Sequence, residues 1–195
     1  YADELEVILR YTFSYMQNRE GSSVYIRLST RNIPQIKREI NKSLEEKILS
    51  GGYWLEKPKN KSSITIVFSG VIAPEVFEAA RLIKEDDVNV SILIITSSDR
   101  LYKNWKLSQK ERSKGIKMIS RIDELFSDTL DDSAIVSVID AHSSSLTWIG
   151  GAVGKKIVSL GVDEFGQSGN LKDLYQNYSI DADAIIDACA QVLSN

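Results

Sequence analysis

The stretch Ile64-Thr65-Ile66-Val67-Phe68 decides the class of fold. It is almost continuously apolar, and a segment of helical periodicity follows it at residues 74–84. Similar apolar runs occupy Val90–Ile95, Ala134–Ile139 and Ile157–Leu160, with helical or charged segments between them. Continuously apolar strands that alternate with helices indicate a parallel sheet covered on both faces. The sequence predicts a three-layer α/β/α domain with a mostly parallel sheet of about five strands.

The segments before this domain have a different pattern. Residues 2–18 have mostly helical spacing and predict an amphipathic helix, and residues 23–28 alternate as in a strand. A helix and a strand cannot form a core alone, so we expect this pair to be the remnant of a preceding domain. Residues 30–62 are basic and polar, as in a connector, with a short edge strand at Tyr53-Trp54-Leu55.

The carboxyl end predicts a loop and two helices. A glycine-punctuated run, residues 161–169, leads into a short helix at residues 171–175. Asp181 then stands where the cap of a last helix is expected. We also expect helices near residues 119–126 and after Ser145.

Composition and charge exclude several classes of protein. Of the 195 residues 43% are hydrophobic and 26% charged, as in an ordinary soluble domain, and the formal net charge of -3 argues against a nucleic-acid partner. The single cysteine, Cys189, allows no intramolecular disulfide and fits a reducing cytoplasm. No apolar run is long enough to cross a membrane. The chain starts at Tyr1 in helical periodicity, so we expect it to be part of a longer protein.

The single histidine follows the strand that ends at Ile139, in the run Asp140-Ala141-His142-Ser143-Ser144-Ser145. Ligands bind at the carboxyl ends of strands in open α/β sheets, so His142 is a candidate catalytic residue. Neighbours in sequence do not by themselves make a catalytic triad. The favoured interpretation is that one of the serines caps the following helix and that His142 is exposed or lies at an interface.

Two other runs have structural interpretations. The glycines of Gly150-Gly151-Ala152-Val153-Gly154-Lys155 lack the spacing of a phosphate loop and predict a close approach of a helix to the sheet. Residues 100–117 carry many lysines interleaved with Tyr102 and Trp105, which superficially suits single-stranded nucleic acid. Acidic neighbours and the acidic total favour a solvated loop or a partner-facing surface.

Four motifs, in this order and separation, carry a family resemblance. They are Ser23-Val24-Tyr25-Ile26-Arg27-Leu28-Ser29-Thr30-Arg31, Gly51-Gly52-Tyr53-Trp54-Leu55, Thr96-Ser97-Ser98-Asp99-Arg100-Leu101 and Phe165-Gly166-Gln167-Ser168. The chain resembles the carboxyl-terminal region of the transketolase and homodimeric pyruvate dehydrogenase superfamily, whose members depend on thiamine diphosphate. The resemblance implies three parts: residues 1–35 end the pyrimidine-binding middle domain, residues 36–62 are a linker, and residues 63–195 form the closing domain.

The resemblance also implies where the cofactor would lie. In that superfamily a Gly-Asp-Gly loop with a downstream asparagine holds the diphosphate and Mg²⁺, and a middle-domain glutamate activates the aminopyrimidine. This sequence has no Gly-Asp-Gly. We therefore expect no catalytic, cofactor-binding or metal-binding residue in the chain and an inactive isolated fragment, with thiamine diphosphate and Mg²⁺ bound elsewhere in a full-length parent.

The branch of the superfamily rests on the run Leu28-Ser29-Thr30-Arg31-Asn32. Transketolases have a similar run in which an arginine at the position of Thr30 binds the sugar phosphate. In this chain the arginine comes one residue later, and one step along a strand points a side chain to the opposite face. Ser29 and Arg31 remain candidate substrate-binding residues. We favour a pyruvate dehydrogenase-type component that decarboxylates a 2-oxo acid and passes an acetyl group to a lipoyl acyltransferase; a transketolase is the alternative.

The closing domain would serve mainly to support the middle domain and to join two subunits of a homodimer. Large aromatic residues dominate interface energetics, so we expect interface contacts from Trp148, Phe165, Tyr175 and Tyr178, with plain core packing as the alternative for each. Two functions of other classes stay open. One is a small hydrolase that uses His142, and the other is a stand-alone module that binds a small ligand or a protein at the sheet's carboxyl edge.

Overall fold

The computed structural model describes residues 1–58, 63–129 and 132–194. The helices are α1 (Ala2–Met16), α2 (Lys42–Leu49), α3 (Ala73–Glu85), α4 (Ser98–Ser113), α5 (Arg121–Phe126), α6 (Ser144–Val153), α7 (Leu171–Asn177) and α8 (Ala182–Ser194). The strands are β1 (Gly52–Glu56), β2 (Ile64–Ser69), β3 (Val90–Ile95), β4 (Ala134–Ile139) and β5 (Ile157–Leu160).

The five strands form one sheet in the order β1-β3-β2-β4-β5. β2 is central and pairs in parallel with β3 and β4, so that Ile66 lies beside both Ile92 and Val136. β5 continues the parallel sheet beside β4, whereas β1 pairs with β3 in the antiparallel sense at the other edge. The predicted three-layer fold with a mostly parallel sheet of about five strands is confirmed.

Each face of the sheet packs against its own hydrophobic core. On one face, Ile66 and Phe68 of β2 pack in a core with residues of α1, α2, α3 and α8. On the other face, Val67 of β2 packs in a core with residues of α4, α5 and α6. Successive residues of β2 therefore contribute to opposite cores, which explains why the strand is apolar without alternation.

The segment before α2 differs in part from the prediction. The first helix is confirmed as α1, but the strand predicted at residues 23–28 is wrong, since these residues form no regular structure. Tyr25 is 88% exposed and Leu28 is 60% exposed. A strand needs a neighbouring strand for its backbone hydrogen bonds, and none of the five described strands lies beside this segment.

The predicted connector contains regular structure. Residues 36–62 include α2 and β1, and the described part of the connector ends at residue 58. The edge strand predicted at Tyr53-Trp54-Leu55 is confirmed as β1, which belongs to the sheet. The division of the chain at residues 36 and 62 stays a prediction.

The basic run after β3 is a helix and not the predicted loop. α4 has good helix formers at most positions, and its Asp99 and Lys103 are paired one turn apart. It has only two buried side chains, Leu101 and Ser108, so that hydrophobic periodicity barely marks it.

A partly buried ionic cluster attaches α1 to the sheet. Arg38 donates to both carboxylate oxygens of Asp3, at 2.7 and 3.1 Å, to Glu4 at 3.1 Å and to the Tyr53 hydroxyl at 2.6 Å. Tyr53 in turn donates to Glu4. Burial acts to lower the pKa of Arg38, but the hydrogen bonds to Asp3 and Tyr53 outweigh it and raise that pKa. The charged form of Arg38 is therefore held firmly between α1 and β1.

Replacing Arg38 with methionine should destabilise the chain by about 3 kcal/mol, because Asp3 would lose its charged partner and buried Glu4 would keep only one, the amino group of Tyr1. The matched control is Arg10→Met, which removes an exposed pair with Glu6 on the same helix. The control should change the free energy of unfolding by less than about 0.5 kcal/mol. Urea denaturation followed by circular dichroism measures both; equal effects would contradict the assignment.

The close approach of α6 to the sheet, predicted from its glycines, is confirmed at Gly150. A Cβ atom there would lie 2.5 Å from Cγ2 of Ile157 on β5. The neighbouring Gly151 has no atom within 4 Å of such a Cβ. Gly150 is thus required by packing and Gly151 is not.

The same substitution at these two glycines should have opposite effects. Gly150→Ala should cost roughly 1–3 kcal/mol of unfolding free energy, since α6 must move away from β5. Gly151→Ala should stabilise by about 0.5–1 kcal/mol, because alanine is the better helix former and meets no neighbour. Chemical denaturation tests the pair, and a loss at both positions would refute the packing argument.

Candidate site at the carboxyl edge of the sheet

The carboxyl ends of β2 and β4 meet at the middle of the sheet. From β2 the chain passes through α3 to β3 on one side, while β4 lies on the other side of β2. This reversal makes the edge between β2 and β4 the topological switch point, where open α/β sheets bind ligands. The turn at Gly70–Ile72 and the loop that starts at Asp140 border it.

Arg31 reaches this edge from the segment before α2. Its Nη1 and Nη2 atoms each lie 3.0 Å from a carboxylate oxygen of Glu75, in the first turn of α3. Nη1 also donates to the carbonyl of Val71 at 3.1 Å. Hydrogen bonding to Glu75 raises the pKa of Arg31 despite its partial burial. The guanidinium that was a candidate substrate contact is therefore bonded within the chain.

Tyr175 of α7 completes the cluster. The guanidinium of Arg31 lies 5.2 Å from the centre of its ring, and its hydroxyl donates to Asp140 Oδ2 at 3.1 Å. Burial and the neighbouring charge of Asp140 raise the pKa of Tyr175 to about 12. Ser29, the other substrate-binding candidate, is exposed and accepts from the backbone N–H of Arg31 at 3.2 Å. The structure brings together Arg31, Glu75, Tyr175 and Asp140.

His142 lies in a second, more exposed cluster beside β5. A serine, Ser143, occupies the N-cap position of α6, as predicted, but its side chain does not make the predicted capping hydrogen bond. Instead His142 Nδ1 accepts from the backbone N–H of Ser144 at 3.2 Å. The hydroxyl and N–H of Ser143 both donate to Asp163, at 2.8 Å each, and these bonds lower the pKa of Asp163.

This second cluster lacks the geometry of a nucleophilic triad. The Ser144 hydroxyl lies 2.9 Å from His142 Nδ1, and Asp163 Oδ1 lies 3.4 Å from the same nitrogen. A triad needs the serine at one ring nitrogen and the carboxylate at the other. Here both partners approach Nδ1, so Asp163 cannot orient His142 to take a proton from Ser144.

The four aromatic interface candidates differ in exposure. Tyr175 is buried, with 4% of its surface exposed, whereas Phe165 is 93% exposed. Tyr178 is half-buried, and its hydroxyl donates to the Phe165 carbonyl and accepts from the Gln167 N–H, both at 3.0 Å. Trp148 is half-buried beside the ring of Trp105, 5.6 Å away. Core packing thus describes Tyr175, and Phe165 is the candidate that a partner could cover.

Sequence reasoning missed Glu75 and Asp163. Glu75 stands 44 residues from Arg31, and Asp163 stands 20 residues from Ser143. No spacing rule joins residues so far apart. Asp163 follows a strand at the carboxyl edge, and this position was the one available signal.

The residues present do not fit a thiamine diphosphate site. Over residues 1–58, 63–129 and 132–194, no three His, Cys, Asp or Glu side chains are placed to hold a metal ion. The sequence also lacks a Gly-Asp-Gly loop.

Cys189 is buried, and burial raises the pKa of its thiol to about 12. Within the described ranges, no helix combines the length and apolar character needed to cross a membrane.

Comparison with known proteins gives the chain a family. The model of the transketolase-like TK C-terminal domain matches residues 51–181. No curated protein matches the chain significantly. Among solved structures, a transketolase variant from Pichia stipitis has 18% identity and a TM-score of 0.59 and covers 85% of this chain and 20% of its own.

Two other structures share the fold. A split-gene transketolase, described as an inactive beta4 tetramer, has 16% identity and a TM-score of 0.53 over 74% of this chain and 43% of its own. Transketolase from Campylobacter jejuni has 18% identity and a TM-score of 0.51 over 75% of this chain and 19% of its own. The chain thus spans less than half the length of these proteins. Because the family model matches well over half of its residues, the chain belongs to the transketolase-like C-terminal domain family.

Proposed function

We propose that the chain is the structural and dimerisation region of a thiamine diphosphate-dependent enzyme and is inactive when isolated. The family match supports the parent class. The observation that supports the inactivity is the arrangement at the carboxyl edge, where the polar side chains pair within the chain: Arg31 with Glu75 and Tyr175, and Tyr175 with Asp140. In the parent, thiamine diphosphate would supply the electron sink, and the protein would position it. This chain contributes packing and no group that reacts.

For the parent reaction we favour decarboxylation of a 2-oxo acid of the pyruvate dehydrogenase type, with transfer of the acetyl group to a lipoyl acyltransferase. The state of Arg31 supports this branch. A sugar phosphate would have to compete with Glu75 for the guanidinium, because both terminal nitrogens of Arg31 lie 3.0 Å from a Glu75 oxygen. A 2-oxo acid without a phosphate places no such demand on Arg31.

A transketolase-type parent is the second candidate. The names of the similar structures favour it, since the Pichia stipitis and Campylobacter jejuni proteins are transketolases. In such a parent Ser29 and Arg31 would contact the substrate, and Arg31 would have to leave Glu75. The cytoplasmic location inferred from the single cysteine stays a prediction in either case.

Assays of the full-length protein should separate the two branches. With thiamine diphosphate and Mg²⁺ present, we expect turnover of pyruvate with lipoamide or an artificial electron acceptor and no ketol transfer from xylulose 5-phosphate. The 195-residue chain should turn over neither substrate. Sugar transfer without decarboxylation would reverse the choice of branch, and turnover by the chain alone would refute the structural role.

The dimerisation role can be tested at Phe165. Since its side chain is 93% exposed, Phe165→Ala should change the unfolding free energy of the chain by less than about 0.5 kcal/mol. The same change should weaken the homodimer of the full-length protein by roughly 2 kcal/mol, or about thirtyfold in dissociation constant. Analytical ultracentrifugation measures the dimer constant.

The control for Phe165 is Leu193→Ala, which removes another exposed apolar side chain, on α8. It should leave the dimer constant unchanged. Equal weakening by both substitutions would indicate a general loss of apolar surface, and no weakening at Phe165 would exclude it from the interface.

A further inference from the structure

The strap, residues 29–33, carries a second polar contact, besides that of Arg38, between the segment before α2 and the rest of the fold. At residue 31 it places an arginine over the switch point between β2 and β4. Two residues later, Ile33 is half-buried and packs against the core on the face of α3 and α8. The strap therefore crosses the edge where a ligand would otherwise enter.

Arg31 uses its guanidinium in three ways at once. It forms a two-pronged pair with Glu75, bonds the Val71 carbonyl and makes a cation–π contact with the ring of Tyr175. The side chains of Arg31 and Glu75 are only 21% and 18% exposed, so water screens their attraction less than it would screen a surface pair. A planar fork that also stacks is a geometry that lysine cannot reproduce.

The partners of Arg31 come from different parts of the fold. Val71 and Glu75 follow β2, Tyr175 belongs to α7, and Tyr175 is itself bonded to Asp140 after β4. One side chain thus joins the strap to elements on both sides of the switch point. Loss of Arg31 would release the strap from all of them together.

We propose that Arg31, held by Glu75, clamps the strap across the carboxyl edge of the sheet at the switch point. The clamp fixes the direction in which the segment at residues 17–28 leaves the sheet. This role needs neither substrate nor cofactor in the isolated chain. In a transketolase-type parent, substrate binding would have to open the clamp, because Arg31 would then leave Glu75.

The experiment measures the position of the strap by the distance between two spin labels. Leu28→Cys places one label beside the strap, and Lys172→Cys places the other on α7; both positions are exposed. Cys189 is 2% exposed and should not react with the label. Pulsed electron paramagnetic resonance on the 195-residue chain then measures the width of the distribution of label-to-label distances. Circular dichroism verifies that each variant is folded.

We expect a narrow distance distribution in the doubly labelled chain that carries no further substitution. Arg31→Met and Glu75→Gln should each broaden it by about twofold or more, because each removes one half of the paired contact. The double variant should be no broader than Arg31→Met, as for two residues that act through one contact. The width for Arg31→Lys should lie between that of the unsubstituted labelled chain and that of Arg31→Met.

Two controls make the same chemical changes nearby. Arg27→Met removes an exposed arginine just outside the strap, and Glu78→Gln removes an exposed carboxylate of α3 that pairs with Arg81. Neither should alter the distribution. An unchanged width in Arg31→Met, or equal broadening in the controls, would overturn the clamp. If Arg31→Met does not fold, Glu75→Gln and Arg31→Lys decide in the same way.

Discussion

Burial of both faces of the central sheet is the constraint on which the structure depends. β2 is buried from Ile64 to Phe68, with β3 and β4 as its neighbours. Parallel crossovers are right-handed, so a chain that moves to one side of β2 through α3 and then returns past it through α4 and α5 must place these helices on opposite faces. The same reversal opens the carboxyl edge between β2 and β4, where polar side chains collect.

Three arginine–tyrosine contacts attach the segments before β1 to this framework. Arg31 lies over Tyr175, Arg38 over Tyr53, and Arg100 of α4 lies 4.4 Å from the ring centre of Tyr11 on α1. Each guanidinium also binds an oxygen, as Arg100 does at the Leu49 carbonyl, 2.6 Å away. Arginine suits these positions because it stacks and donates in the same plane. These polar contacts thus add to the apolar packing of α1, in which Val7 is buried.

How far the sequence predicts this structure depends on the range of the interactions involved. β2, β3 and β4 were predictable because burial on both faces leaves a local signature, and Gly150 was predictable because a glycine in a helix has few other uses. α4 was not, since charged side chains hide its two buried positions. The strand predicted at residues 23–28 is absent, because an alternating pattern is a local property of the segment and does not show whether a neighbouring strand is available for pairing. The partners of Arg31 and Ser143 depend on tertiary structure.

The loop before α7 is ordered although much of it is exposed. The loop that carries Phe165 is bonded at Asp163 to Ser143 and at Gln167 to the Tyr178 hydroxyl. The backbone of this loop is therefore held in place, so that association through it would lose less conformational entropy than association through a free loop. Tyr178 fixes the backbone of this loop, because its hydroxyl bonds the Phe165 carbonyl and the Gln167 N–H.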